Sequence, residues 1–248
     1  MMMNKKMVLI PILLVMIAVI VYLFYDGKPK PFLEDTQAIK VMNQLYTEGN
    51  ISEIVDVIPL DSKHVFVPII SGDDHYGMSF WEWDRFQWRL GRIDTKGAPY
   101  IWKIDEKDAS THYIVWNMDP EDELSELKYY LIGERDFHSS EDVESYRPRV
   151  QMELTTTLQK QKYGVLPFPK DWVELMNGNL RLSRANQLTS LFLMNSPSSS
   201  LYIGWIPFGH HGKVTFPENT VNGSSFDSGR INVDFVRILN ESELELSK

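Results

Sequence analysis

An α+β chain is what the sequence predicts: an N-terminal transmembrane helix, then a mainly antiparallel β domain with one packing helix and two short helices. Three observations predict it. Met7 to Tyr25 is a run without a charge; residues 35–46 carry apolar side chains at helical spacing; and from Ile51 to about Gly133 short β-branched and aromatic runs alternate with turn clusters.

At about 1.5 Å per helical residue the charge-free run reaches roughly 30 Å, the thickness of a bilayer's hydrocarbon core. Lys5 and Lys6 precede it, and Pro11 falls in its first turns, where proline is best tolerated. A cleaved signal peptide would have a shorter apolar stretch and small residues at its end. This run ends "VYLFYDG", which predicts an uncleaved signal anchor. The expected organisation is a cytoplasmic leader over residues 1–6, an anchor over 7–25, a spacer over 26–33, an extracytoplasmic α+β domain over 34–240 and an acidic tail over 241–248. The expected location is the cell membrane, single-pass, with the N-terminus cytoplasmic.

The prolines of "DGKPKPF" favour extended geometry in the spacer. Asp35 or Thr36 is placed to cap the packing helix, whose apolar face is Ala38, Ile39, Val41, Met42, Leu45 and Tyr46, and Gly49-Asn50 ends it. "EIVDVI" and "HVFVPII" flank the turn "PLDS"; "YIWKID" and "HYIVWNM" flank "EKDAS"; "ELKYYLIG" follows "DPEDE". These pairs predict a meander of hairpins. Further on, "VESYRPRVQMELTTTLQ" holds one strand, "LPFPKDWVELMN" reads as a loop entering a short helix, and "SRANQLTSLFLMN" as a second short helix ended by "SPSSS". Strands return with "SLYIGWIPF", "KVTF" and "RINVDFVRI", where Ile231, Val233 and Phe235 alternate with polar residues as in a half-buried strand.

The stretch "SFWEWDRFQWRL", Ser79 to Leu90, is the densest aromatic segment. If "WDRF" is a tight turn, Trp83 opposes Phe86, Trp81 opposes Trp88 and Ser79 opposes Leu90. One face then carries Trp81, Trp83, Phe86, Trp88 and Leu90, the other Phe80 across from Arg89 in cation–π range. Segregation of this kind predicts a hairpin laid on a core. The competing expectation is a ligand platform formed by Trp81, Trp83 and Trp88, which would leave the rings open to water.

Composition narrows the chemistry. After Tyr25 stand 23 of the 25 basic residues and all 34 acidic ones, a balance of −11. Such a field repels nucleic acid, anionic lipid headgroups and polyanionic wall polymers, so long-range electrostatic recruitment to any of these, and nucleic acid as a partner, is not expected. Absence of cysteine removes disulfides, thiolate metal sites and cysteine nucleophiles. Gly-rich phosphate loops, dinucleotide fingerprints, nucleophile elbows and paired-histidine zinc helices are also absent, and no cofactor is expected. What remains are Asp73, Asp74 and His75 on one turn and His210 and His211 between glycines, which together would offer a metal or acid–base site. Neither group has ligand spacing of its own, and the acidic turn Asp119 to Glu123 lacks the ordered spacing of a calcium loop.

The segments "KHVFVPIISGDDHYGMSFWEWDRFQW", "WKIDEKDASTHYIVWNMDP" and "YYLIGERDF", with the anchor, resemble a group of uncharacterised, N-terminally anchored extracytoplasmic proteins of Gram-positive bacteria. The resemblance covers the anchor and roughly residues 60 to 150. It implies location and fold style and carries over no activity and no site residue. The function expected from all of this is a non-enzymatic envelope sensor or accessory subunit that meets a membrane or envelope protein. The alternative is a cell-envelope hydrolase or transferase with a dispersed acid/His site.

Overall fold

The computed structural model describes residues 5–24, 28–140, 143–190 and 201–245. Helix α1 (Lys5–Phe24) is apolar on all sides, so it has no polar stripe to turn toward water. Its side chains are described over residues 10–22. Among the described residues no helix is long and apolar enough to cross a membrane. Helix α2 (Asp35–Leu45) is amphipathic and buries Ala38 and Met42; it is entered from Glu34, with Asp35 already in its first turn rather than capping it. It stops at Tyr46, earlier than Gly49-Asn50, and Asn43 fixes the turn that follows. Its amide donates to the Ile51 carbonyl at 2.8 Å and its oxygen accepts the Ile51 N–H at 2.7 Å.

The first sheet is built from β1 (Ile51–Ile54), β2 (Ile58–Pro59), β3 (His64–Ser71), β4 (Tyr76–Asp84) and β5 (Gln87–Asp94). β3, β4 and β5 are the antiparallel meander that the turn spacing predicts, with β1 on the outer edge of β3. β6 (Tyr100–Lys103) and β7 (His112–Asn117) pair in a second sheet, and β8 (Leu124–Gly133) starts a third.

The middle of the chain departs from expectation. Instead of one strand it contains β9 (Asp136–Ser140) paired with β10 (Val143–Arg147), then β11 (Val150–Thr157) along β8. β12 (Tyr163–Pro167), to which the sequence assigned no strand and whose last two residues were read as the start of a loop, pairs with β7. The two short helices are one continuous helix, α3 (Lys170–Ser190), because Gly178 between them, unlike a proline, keeps its N–H and does not break a helix. "SPSSS" lies outside the described residues.

β13 (Leu201–Gly209) lies between β8 and the C-terminal segment. "KVTF" forms no strand and touches β13 through one Phe208–Val214 bridge. Three short strands follow, β14 (Ser225–Asp227), β15 (Asn232–Phe235) and β16 (Arg237–Ile238), and each joins a different sheet. The alternation from Ile231 to Ile238 is therefore split between two sheets rather than running through one strand.

Three layers result. The first sheet packs one face on α2 through Val65, Val67, Ile69, Trp81, Leu90 and Ile93. Its other face puts Phe66, Met78 and Phe80 against Trp102 and Val115 of the second sheet. The second sheet's far face, Ile101, Ile114 and Trp116, meets Leu127, Tyr129, Leu131, Ile203 and Trp205 of the third sheet together with Trp172 of α3. Burial on both faces explains why β6 and β7 read as nearly continuous apolar runs.

The aromatic hairpin settles into a register two residues away from the expected one. Trp83 opposes Trp88 and Trp81 opposes Leu90, while Arg85 and Phe86 form the two-residue tip. Both tip residues take positive φ, 47° and 69°, the geometry of a primed hairpin turn. Phe80 consequently lies opposite Arg92, not Arg89, and packs edge-on against Trp102 at 5.2 Å. Trp81 is fully buried and Trp83 is 4% exposed. Trp88 is partly buried, with its ring against Trp83 at 5.6 Å and Phe32 at 5.3 Å. These rings are covered by their neighbours, as the core reading expects.

Candidate functional site

A β-bulge creates the site. Trp81 pairs with Leu90 but Phe80 pairs with Arg92, so Gly91 is the extra residue of β5. Beyond the bulge Arg92 and Asp94 share the side of Phe80 and Met78 and face Tyr100, at the start of β6. A bulkier residue at position 91 would collide with Ile231, whose side-chain carbon would lie 2.6 Å from its Cβ.

Arg92 is the hub of this cluster. Its Nε donates to Asp94 Oδ2 at 2.6 Å, one terminal nitrogen to Asp227 Oδ2 at 2.9 Å and the other to the Tyr100 hydroxyl at 3.3 Å. The guanidinium also lies over the Tyr100 ring, 5.1 Å from its centroid. Tyr100 in turn donates to Asp94 Oδ1 at 3.4 Å. Asp94 is 5% exposed, and this burial pushes its carboxyl up to about 6 against the pull of Arg92 and Tyr100. Burial likewise raises the Tyr100 phenol.

Asp94 and Tyr100 line a cavity of about 330 Å³, closed by Lys96, Ala98, Val221 and Ile238. At its mouth stand Phe216 and Phe235, 58% and 55% exposed. Phe235 was expected to turn inward; because β15 ends there and the chain crosses to β16, its ring leans edge-on against Tyr100 at 5.8 Å with one side open.

The segment that carries Phe216 is held by acidic residues. Asp122 accepts the Asn219 N–H at 2.9 Å and the Thr220 hydroxyl at 2.5 Å, and Thr220 accepts the Asp119 N–H at 2.9 Å. The acidic turn Asp119 to Glu123 therefore ties Asn219 and Thr220 to the connection between β7 and β8. Beyond Phe216 lies an open groove of about 660 Å³ lined by Glu121, Asp122, Glu123, His210, His211 and Glu218.

The histidine candidates are thereby separated. His75 sits at the turn before β4, its Nδ1 3.1 Å from Lys96 Nζ at the edge of the Asp94 cavity. His210 and His211 line the groove on the other side of Phe216. Asp73 and Asp74 are exposed on the β3–β4 turn, Asp74 with φ 59°. Among the described residues no group of three or more His, Cys, Asp or Glu could hold a metal ion. Asp94, Arg92 and Tyr100 escaped sequence reasoning, because only the bulge and the packing of two sheets bring them together. The one available signal was the Arg-x-Asp pair that ends β5 just after a glycine. No protein-family model, no curated protein and no solved structure matches the chain.

Proposed function

We propose that the chain is a membrane-anchored extracytoplasmic module, without catalytic chemistry of its own, that takes an apolar side chain of an envelope protein partner into the cavity between Phe216 and Phe235. The observation that carries this reading is the mouth itself: two phenylalanines, each more than half exposed, frame a cavity of about 330 Å³ whose walls are apolar at Ala98, Val221 and Ile238 and polar at Asp94 and Lys96. Interface anchors are typically aromatic or apolar groups seated in such pockets, and the volume falls at the small end of ligand-sized cavities. Anchoring is supported by the charge-free run Met7 to Tyr25, which extends past the described side chains of α1 at both ends. A Gram-positive envelope is the setting that the sequence resemblance implies.

A photoreactive phenylalanine at position 216 or 235, irradiated in intact cells, should give one reproducible adduct with a membrane or envelope protein. Phe216→Ala and Phe235→Ala should abolish co-purification of that protein without lowering stability. External protease should reduce the chain to a membrane-bound stub. Protection from that protease, or no adduct from either position, defeats the reading.

A second reading, an envelope hydrolase or transferase, draws on the Asp94 carboxyl, which sits in a cavity with a proton affinity suited to general acid–base work. It predicts that Asp94→Asn removes the phenotype of the intact gene while Phe216→Ala leaves it.

A further inference from the structure

We propose that the β4–β5 turn is a second membrane contact, in which Arg85 and Phe86 rest in the headgroup layer of the leaflet that receives the outer end of α1. The inference rests on the anchor reading above and adds a surface that composition does not suggest. Tyr22, near the end of the charge-free run, stacks on Phe86 with ring centroids 6.0 Å apart and planes 21° apart. Aromatic side chains favour the interfacial depth at which an apolar helix leaves the bilayer. A ring stacked on Tyr22 shares that depth. Both rings are open, Tyr22 at 69% and Phe86 at 40% exposure, and the Arg85 side chain is 80% exposed.

The turn is also held where it is. Residues 30 and 31 are docked on the hairpin: the Trp88 indole N–H donates to the carbonyls of Lys30 and Pro31, each at 3.1 Å. Phe32 packs edge-on against Trp81 at 5.4 Å and Trp88 at 5.3 Å. These contacts fix the hairpin relative to residues 30–32. The tip runs locally against the acidic balance of the rest of the domain, because Asp84 is countered by Arg89 at 3.0 Å, by Arg230 at 3.1 Å and by Arg85 at 4.0 Å. Arg85 can then face lipid phosphate while Phe86 meets the acyl boundary. The left-handed backbone at both tip positions, where Asn-Gly would sit without strain, is a local cost that a displayed Arg-Phe pair explains.

The chain lacks cysteine, so one introduced cysteine can be labelled uniquely with an environment-sensitive fluorophore. The full-length protein carrying Phe86→Cys, Arg85→Cys, Asp73→Cys or Val15→Cys would be reconstituted in phosphatidylcholine–phosphatidylglycerol vesicles with nitroxides at shallow or deep acyl positions. Asp73 is the reference, because it lies at the far end of β4, roughly 30 Å from the tip at about 3.3 Å per residue. Shallow nitroxides should quench labels at 85 and 86 several-fold more than the label at 73, and deep nitroxides should quench position 15. Equal quenching at 73, 85 and 86 with position 15 deep overturns the turn contact and leaves the anchor standing. No deep quenching at position 15 overturns the anchor, and the turn contact falls with it.

Discussion

Replacing Trp81 by alanine tests the layered core at its densest point. The indole is fully buried between α2 and the first sheet, in one cluster with Met42, Val65, Val67, Ile69, Leu90 and Ile93. Burial of a tryptophan removes about 150–250 Å² from water. At about 25 cal/mol per Å² that is roughly 4–6 kcal/mol, and partial collapse around the void brings the expected cost to about 3–5 kcal/mol. Loss of the indole N–H bond to the Ser79 hydroxyl at 3.0 Å adds little, since that hydroxyl still donates to the Val67 carbonyl at 3.2 Å. For a domain of this size the melting temperature should fall by about 10 °C. Urea unfolding of the full chain in detergent, followed by far-ultraviolet circular dichroism, measures the change. Trp81→Phe separates the terms, because a six-membered ring can still meet Phe32 while the N–H is lost; it should cost about half as much or less. A Trp81→Ala protein within about 0.5 kcal/mol of the parent would refute the core assignment and return the three tryptophans to the platform reading.

Asp94 gives a pH signature: its folded carboxyl keeps a proton to about pH 6 and its unfolded carboxyl releases one near 3.8, so the native state binds more protons in between. Its contribution is complete below 3.8 and is lost as pH rises through 6, by up to about 3 kcal/mol; urea unfolding of parent and Asp94→Asn at pH 4, 5 and 6.5 should show their difference change by that amount, whereas parallel profiles contradict the burial argument. Gly97→Ala would place a Cβ 1.7 Å from the Asn117 carbonyl oxygen and should cost about 3 kcal/mol or more, or prevent folding. Gly178→Ala, in open space on α3, should stabilise by about 0.5–1 kcal/mol, and the opposite order of these two variants in thermal unfolding would count against the backbone packing described. Chelator should leave the melting temperature unchanged, since the described residues gather no metal-binding group; a drop reversed by one cation would contradict this.

Much of the layering was legible because it is local. β-branched and aromatic runs bounded by turn clusters placed β3 to β8, and helical spacing placed α2, signals that need no knowledge of distant partners. The hairpin register escaped because Arg85 and Phe86 are poor residues for a primed turn, so the sequence pointed to a turn one residue earlier. β12 was missed because Gly164 and Pro167 read as loop punctuation; Gly164 is instead the position where the Trp116 ring passes within 2.5 Å of where a Cβ would stand. The candidate site was the least legible part. Asp94, Tyr100, Phe216 and Phe235 come from four separated stretches, and no spacing rule joins a bulge in one sheet to the end of a strand in another.

The last three strands carry a consequence for how the protein is made. β14, β15 and β16 follow every other strand in the chain, yet β14 edges the first sheet, β15 the second and β16 the third. Until residues 225–238 have emerged, each layer keeps one edge unpaired, and an unpaired edge is a template for aggregation. Such long-range closure is also slow, because loop entropy is lost before the contacts form. A chain emerging from the ribosome N-terminus first would therefore leave β5, β6 and β13 without these partners until residues 225–238 arrived, and the same short segment would then pair with all three sheets. Products that stop before residue 225 would present the unpaired edges of β5, β6 and β13 to proteases at once.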